Sequence, residues 1–282
     1  MRLFTRRLAS LLAALLILLT ALPVSSVAGA VQNENVSSAR LTGLIHVGHK
    51  GSKRISDVSS SNQPKRTGQL PSRFSSKDLG YITSIKSQAY GDCWAHAAMA
   101  SIEANMIKDG TPVGLNGELT SPASTSLNLS ENHHVYFAFK KSIDKLGLIS
   151  DDKMNCSDDP FDLGGNGYLS MFSLMRWIGP GNEETPALKY KTTLNKNTVY
   201  DDQYAYAYDA SHVMNVIIIP CSDRDGVKQA IMEYGAGDFS YCDENGYVNA
   251  DTGAYYYPQT ITGDEDEGYA VDQWANHAVT VV

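Results

Sequence analysis

A cysteine and a histidine stand in local settings that would suit catalysis. Cys93 lies within Gln88-Ala89-Tyr90-Gly91-Asp92-Cys93-Trp94-Ala95-His96. Gly91 frees the backbone just upstream, and Asp92 is a good N-cap. Trp94 to Lys108 reads as a helix: Ala97, Ala98, Ala100 and Ala104 are strong formers, and Trp94, Ala98, Ile102 and Met106 recur at helical spacing. Asp109-Gly110 ends the run, with Gly110 as the residue after the cap. The Cys93 sulfur is therefore expected at the positive end of a helix dipole, which favours the thiolate, the form that attacks carbonyl carbon. The same stretch also fits a small buried cysteine in an apolar helix, and the local sequence leaves both readings open. His277, in Asn276-His277-Ala278-Val279-Thr280-Val281-Val282, heads an alternating β-branched strand. Facing Cys93 across a cleft, it could complete a thiolate–imidazolium pair.

The chain that must position these groups has 282 residues, enough for one large domain or two lobes with a proper core. Residues 1–30 read as a secretory signal peptide. Arg2, Arg6 and Arg7 form its basic start, Leu8 to Val24 its apolar core, and Ala28-Gly29-Ala30 its cleavage site. A secreted or cell-surface location follows as an expectation. Cleavage would take away three arginines and no acid, shifting the formal charge from −8 to −11. No basic patch stands out, so nucleic acid is not an expected partner. Residues 31–69 are polar and Ser-rich, a linker or short pro-segment in which His46 and His49 are expected to be solvated. The four cysteines, Cys93, Cys156, Cys221 and Cys242, include no pair at Cys-x-x-Cys spacing, and no metal or cofactor is expected.

Between the cysteine and histidine motifs the sequence predicts several elements. Ile82 to Ile85 reads as an edge strand ahead of the Cys93 helix. Ser130 should cap a helix starting at Glu131, on which His133 and His134 point about 100° apart and are expected to be solvated or partly packed. Asp162-Leu163-Gly164-Gly165-Asn166-Gly167 forms a loop before a helix over Tyr168 to Ile178, whose Leu169, Phe172, Met175 and Trp177 call for burial. Gly164 and Gly165 fit a turn that needs positive φ. Gly179 to Asp209 is loop-rich. Val213 to Ile219 reads as a buried strand, Asp223 as the cap of a helix through Tyr234, and Phe239–Tyr241 and Tyr255–Tyr257 as further strands. The acidic run between Gly263 and Gly268 reads as a solvated loop rather than a calcium site.

The stretch Gln88-x-x-Gly91-x-Cys93-Trp94-Ala95 resembles the active-site motif of papain-like cysteine peptidases. Leu129-Ser130-Glu131, Gly164-Gly165 and Asn276-His277-Ala278-Val279 follow in the order of that family. The resemblance implies an α+β, papain-like two-lobe fold: a helical lobe carrying Cys93 and an antiparallel β-rich lobe carrying His277. It implies that Gln88 helps hold the oxyanion, that Gly164 and Gly165 admit substrate backbone, and that the substrates are proteins or peptides. The peptidase domain would occupy residues 70–282. Cys93 and His277 are 184 residues apart, against roughly 130–150 in papain, and an insertion within 140–210 would account for the difference. The sequence ends five residues after His277, ahead of the Asn that orients the imidazole in the family and of the C-terminal part of the β lobe. A fragment or truncated product is therefore expected. Two other functions fit less of the pattern: a transglutaminase-like acyl transferase, and a non-catalytic truncated papain-like binding module.

Overall fold

A computed structural model of the protein describes residues 69–115, 118–140, 159–206, 208–243, 247–256 and 275–282. The expected signal peptide, the expected linker with His46 and His49, Cys156, Tyr257 and the acidic run between Gly263 and Gly268 lie outside the described residues. The chain is α+β, with short helices and two small antiparallel sheets among the described residues.

Helix α1, Cys93–Asp109, is the axis of the fold. It ends as the sequence predicts: Gly110 is left-handed (φ 64°) and returns its N–H to Ile107. Its start differs from expectation. Asp92 occupies the N-cap position, yet its side chain caps no helix N–H and instead accepts from the Tyr190 hydroxyl at 2.9 Å. Behind α1, strands β1 (Pro112–Leu115) and β2 (Glu118–Pro122) form a bulged antiparallel hairpin. Helix α2, Glu131–Phe139, is buried along its whole length, and Ser130 caps it by accepting from His133 N–H at 3.1 Å. Helix α3, Gly167–Leu174, is capped by Asn166, and helix α4, Arg224–Tyr234, by Asp223, whose Oδ1 accepts from Gly226 N–H. Strands β3 (Gly237–Tyr241) and β4 (His277–Val281) pair antiparallel, with Tyr241 opposite His277 and Asp238 opposite Thr280.

The core lies where α1, α2 and β4 meet. Trp94, Phe137, Phe139, Phe161, Leu188 and Ala278 are buried together there, and a second cluster around Met99, Met106, Leu129 and Leu174 fills the space toward β1.

Four expectations are corrected. Residues 82–85 form no strand: the segment is extended but unpaired, and Ile85 is 94% exposed. Residues 213–219 form no strand either, and Met214 is 79% exposed, because no neighbouring backbone forms a ladder with that segment among the described residues. The helix expected through Ile178 ends at Leu174, and in it and the residues just after it the bulky side chains face outward. Phe172, Met175 and Trp177 are exposed, whereas Ser170, Ser173 and Leu174 are buried, because small side chains let the helix close on α2, where Ser170 Oγ meets His134 Nε2 at 3.1 Å. Finally, His133 and His134 are not solvated. Both are fully buried, and His133 Nε2 lies 2.7 Å from the Tyr204 carbonyl oxygen. Desolvation holds them neutral, at about 4 and about 3 respectively.

Candidate active site

The loop before α1 is tied down at three points. Gly91 N–H donates to Asp162 Oδ1, the Tyr90 hydroxyl accepts from Leu194 N–H, and Ala89 N–H donates to the Tyr190 hydroxyl that also holds Asp92. From this anchored loop Cys93 opens the helix, fully buried and in no disulfide. Trp94 follows it beneath Gly165. A Cβ on Gly165 would stand 2.3 Å from the indole, so only glycine fits there. Gly164 has φ +85°, the conformation expected of a turn glycine. The two glycines thus have local packing reasons, and they bring the 164–167 loop against the start of α1.

Strand β4 approaches from the other side. The Thr280 hydroxyl donates to the Ala97 carbonyl at 3.1 Å, and the backbone N–H groups of Ala278 and Trp94 both serve the Cys93 sulfur. His277 is therefore the immediate chain neighbour of a residue hydrogen-bonded to Cys93. Asn276 fixes the strand's entry. Its side chain accepts from Asp243 N–H at 2.6 Å and donates to the Asp243 carbonyl at 3.0 Å. The pleat turns His277 to the Tyr241 side, where the two rings meet edge to face with centroids 5.7 Å apart. Tyr241 lies close enough to Cys93 to interact with its charge, and burial pushes the phenol up to about 12. His277 Nδ1 is buried and has no hydrogen-bond partner among the described residues. No hydrogen bond joins it to Cys93 in this arrangement.

The electrostatics at Cys93 oppose the expectation drawn from its position in the helix. Burial pushes the thiol up to about 11, the Ala278 and Trp94 N–H groups pull it down, and the Asp92 and Asp238 carboxylates add to the rise. Desolvation outweighs the helix terminus here. At neutral pH the sulfur alone is a thiol, and a neighbouring base must take its proton before it can attack.

Gln88 is held within the loop before α1. Its Nε2 donates to the Tyr90 carbonyl at 2.9 Å, within its own loop. One of its two amide protons is thereby engaged.

Sequence reasoning missed two groups. Asp238, on β3, faces the 164–167 loop, with its Oδ2 3.2 Å from where a Cβ on Gly167 would lie. Only the β3–β4 register, which is not visible in sequence, brings it near Cys93. The second is a buried ionic network behind the helix start. Lys86 Nζ sits 2.6 Å from Glu131 Oε1 and 2.9 Å from Glu103 Oε1, and Glu103 also accepts from Leu129 N–H at 2.7 Å. His96 lies 3.6 Å from both Asp92 and Glu131. Burial works against the Lys86 charge, but the two carboxylates outweigh it and hold its pKa above the ordinary value. A Ser130-Glu131 helix start signals a cap, and nothing in the sequence says that its glutamate is buried against a lysine far upstream. Among the described residues no group of three or more potential ligands could hold a metal ion. No protein-family model and no curated protein matches this chain.

Proposed function

We propose that the protein is a secreted, papain-like cysteine peptidase, with a two-lobe architecture in which α1 presents Cys93 and β4 presents His277. The observation that carries this reading is the meeting of α1 and β4. The Ala278 N–H serves the Cys93 sulfur, and the adjoining His277 has a buried, unpartnered Nδ1. A buried ring nitrogen without a partner costs free energy, and service as a proton acceptor for the desolvated thiol is the role this reading gives it.

In the mechanism, His277 takes the Cys93 proton and the thiolate attacks a peptide carbonyl. A C–S bond forms as the carbonyl π electrons move to oxygen. The backbone N–H of Cys93 and the second amide N–H of Gln88 hold that oxyanion. The oxyanion collapses, the C–N bond breaks, and the imidazolium gives its proton to the leaving amine. Water, deprotonated by His277, then hydrolyses the thioester and frees Cys93. Gly164 and Gly165 present backbone to the substrate. The test is hydrolysis of an unfolded protein substrate by the secreted chain and by Cys93→Ala and His277→Ala. The reading requires both variants to lose about a thousandfold or more in rate. A variant that keeps the parent's rate would remove it.

A second reading has its own support. The Cys93 thiol is held at about 11 and makes no hydrogen bond to His277, as a non-catalytic binding domain would allow. Partner capture unchanged in Cys93→Ala, together with an inactive parent, would favour it.

A further inference from the structure

Asp92 stands at the N-cap of α1, yet its carboxylate caps no helix N–H. Two other groups hold it. The Tyr190 hydroxyl donates to its Oδ2 at 2.9 Å while accepting from Ala89 N–H at 2.8 Å, and His96 Nε2 faces the same Oδ2 at 3.6 Å. The second ring nitrogen of His96, Nδ1, faces Glu131 Oε1 on α2, also at 3.6 Å. The Tyr190 ring holds the imidazole between them, edge to face with centroids 5.3 Å apart. Asp92 and Glu131 are buried, and the His96 side chain is only 15% exposed. Asp92 Oδ1, Glu131 Oε2 and His96 Nε2 make no hydrogen bond among the described residues. Charge is uneven here. Asp92, Glu103 and Glu131 bring three buried carboxylates, and Lys86 pairs with Glu103 and Glu131. Among the described residues the ion pair open to Asp92 is the one with His96. Glu183, which accepts from Tyr190 N–H, stands behind the Tyr190 ring.

A neutral imidazole carries one N–H and one lone pair. In this setting whichever nitrogen lacks the proton turns its lone pair toward a carboxylate oxygen. The imidazolium, with N–H on both nitrogens, suits both neighbours and supplies the cation that Asp92 lacks. We infer that His96 is a positioning residue for Cys93: as the imidazolium it clasps Asp92, the residue just before the sulfur, to Glu131 on α2. The word positioning rests on the peptidase reading, whereas the clasp itself does not. The clasp acts on Cys93 in two ways. It holds the Cys93 end of α1 against the first turn of α2. It also sets a positive charge one turn along from the sulfur, where the Asp92 carboxylate otherwise disfavours the thiolate. Loss of the His96 proton leaves Asp92 to the Tyr190 hydroxyl and points a lone pair at one of the two carboxylates, so the clasp opens as His96 deprotonates.

The test reads His96 and Cys93 in the same secreted chain. NMR of the histidine ring nitrogens, assigned by through-bond correlation, follows the His96 proton across pH in the parent and needs no variant to fold. Iodoacetamide labelling of Cys93, followed by mass spectrometry, reads the thiol without turnover. Both His96 nitrogens are expected to carry protons up to a single step in pH. Below that step His96→Gln should label about tenfold more slowly than the parent, because Asp92 is left uncompensated. Above it the ratio should fall toward one, since the parent has then lost the same charge. The double variant His96→Gln with Asp92→Asn should recover most of the parent's rate, because the carboxylate that needs the cation is gone. A His96 ring that keeps one bare nitrogen at every pH overturns the inference. So does a ratio that ignores the step, or a double variant as slow as His96→Gln, since either marks a packing role. A coupled step with no peptide hydrolysis leaves the clasp standing and sinks the peptidase reading. Hydrolysis by a chain whose His96 stays neutral overturns the inference alone.

Discussion

Cys93 is held between opposing influences. Two backbone N–H groups, from Trp94 and Ala278, favour its thiolate, while burial and two carboxylates favour the thiol, and the second set wins. Its reactivity at neutral pH therefore depends on a base, and His277 is the group beside it whose Nδ1 has nothing else to bind. Tyr241 packs edge-on against that imidazole, so Tyr241→Ala should loosen the ring. The expected result is a kcat lowered by about tenfold with KM little changed, while Tyr241→Phe retains most activity because it keeps the ring contact. Steady-state kinetics on a fluorogenic peptide checks this, and equal losses in the two variants would show that the hydroxyl matters rather than the packing. The glycine next to Trp94 has a simpler role. Gly165→Ala drives a methyl group into the indole and should lower stability by about 1–3 kcal/mol, measurable by urea unfolding.

Three elements meet at the Lys86 network: the segment before α1, α1 itself through Glu103, and the first turn of α2 through Glu131. All three groups are largely or wholly out of water, and the Thr83 hydroxyl and Leu129 N–H complete the shell of Glu103. Removing only the cation strands two carboxylates. Lys86→Ala should therefore cost about 3–5 kcal/mol, far more than an exposed pair such as Arg73–Asp78 would. Chemical denaturation of Lys86→Ala beside Arg73→Ala would check this, and similar losses in the two would contradict it. The network grips the middle of α1 through Glu103 and reaches its first turn only through His96, 3.6 Å from both Asp92 and Glu131. The exposed outer face of α3 and the extended 213–219 segment have no comparable anchoring.

At the scale of the whole molecule, pH acts through several buried groups of opposite sense. His133 and His134 have folded pKa values of about 4 and about 3, below their unfolded value of 6.5. Their contribution to stability is complete above 6.5 and is lost as pH falls toward the folded values, because the unfolded chain takes up protons first. Glu183, raised to about 7 by burial, acts the other way and favours the folded state as pH falls below 7. One histidine is best isolated by difference: the stability gap between parent and His134→Gln should narrow from pH 7 to pH 4.5 in urea titrations, and a constant gap would contradict the neutral, buried assignment. The legible parts of this molecule were those with local signals. The Cys93 helix, the Ser130 and Asp223 caps, the Gly110 terminus and the His277 strand each announce themselves within a few residues. Features set by distant partners were not legible. Asp238 gains its meaning from a strand register, Glu131 from Lys86, and the buried side of α3 from how closely Ser170 approaches His134. Residues 213–219 are a near-continuous apolar run like a buried strand but lack a ladder partner among the described residues. The central claim is that His277 activates Cys93, and the pH profile of Cys93 alkylation by iodoacetamide tests it most directly. The parent should react through the neutral range, whereas in His277→Ala the reaction should be slow at pH 7 and climb toward the thiol's own value of about 11. Superimposable profiles for the two proteins would contradict the account.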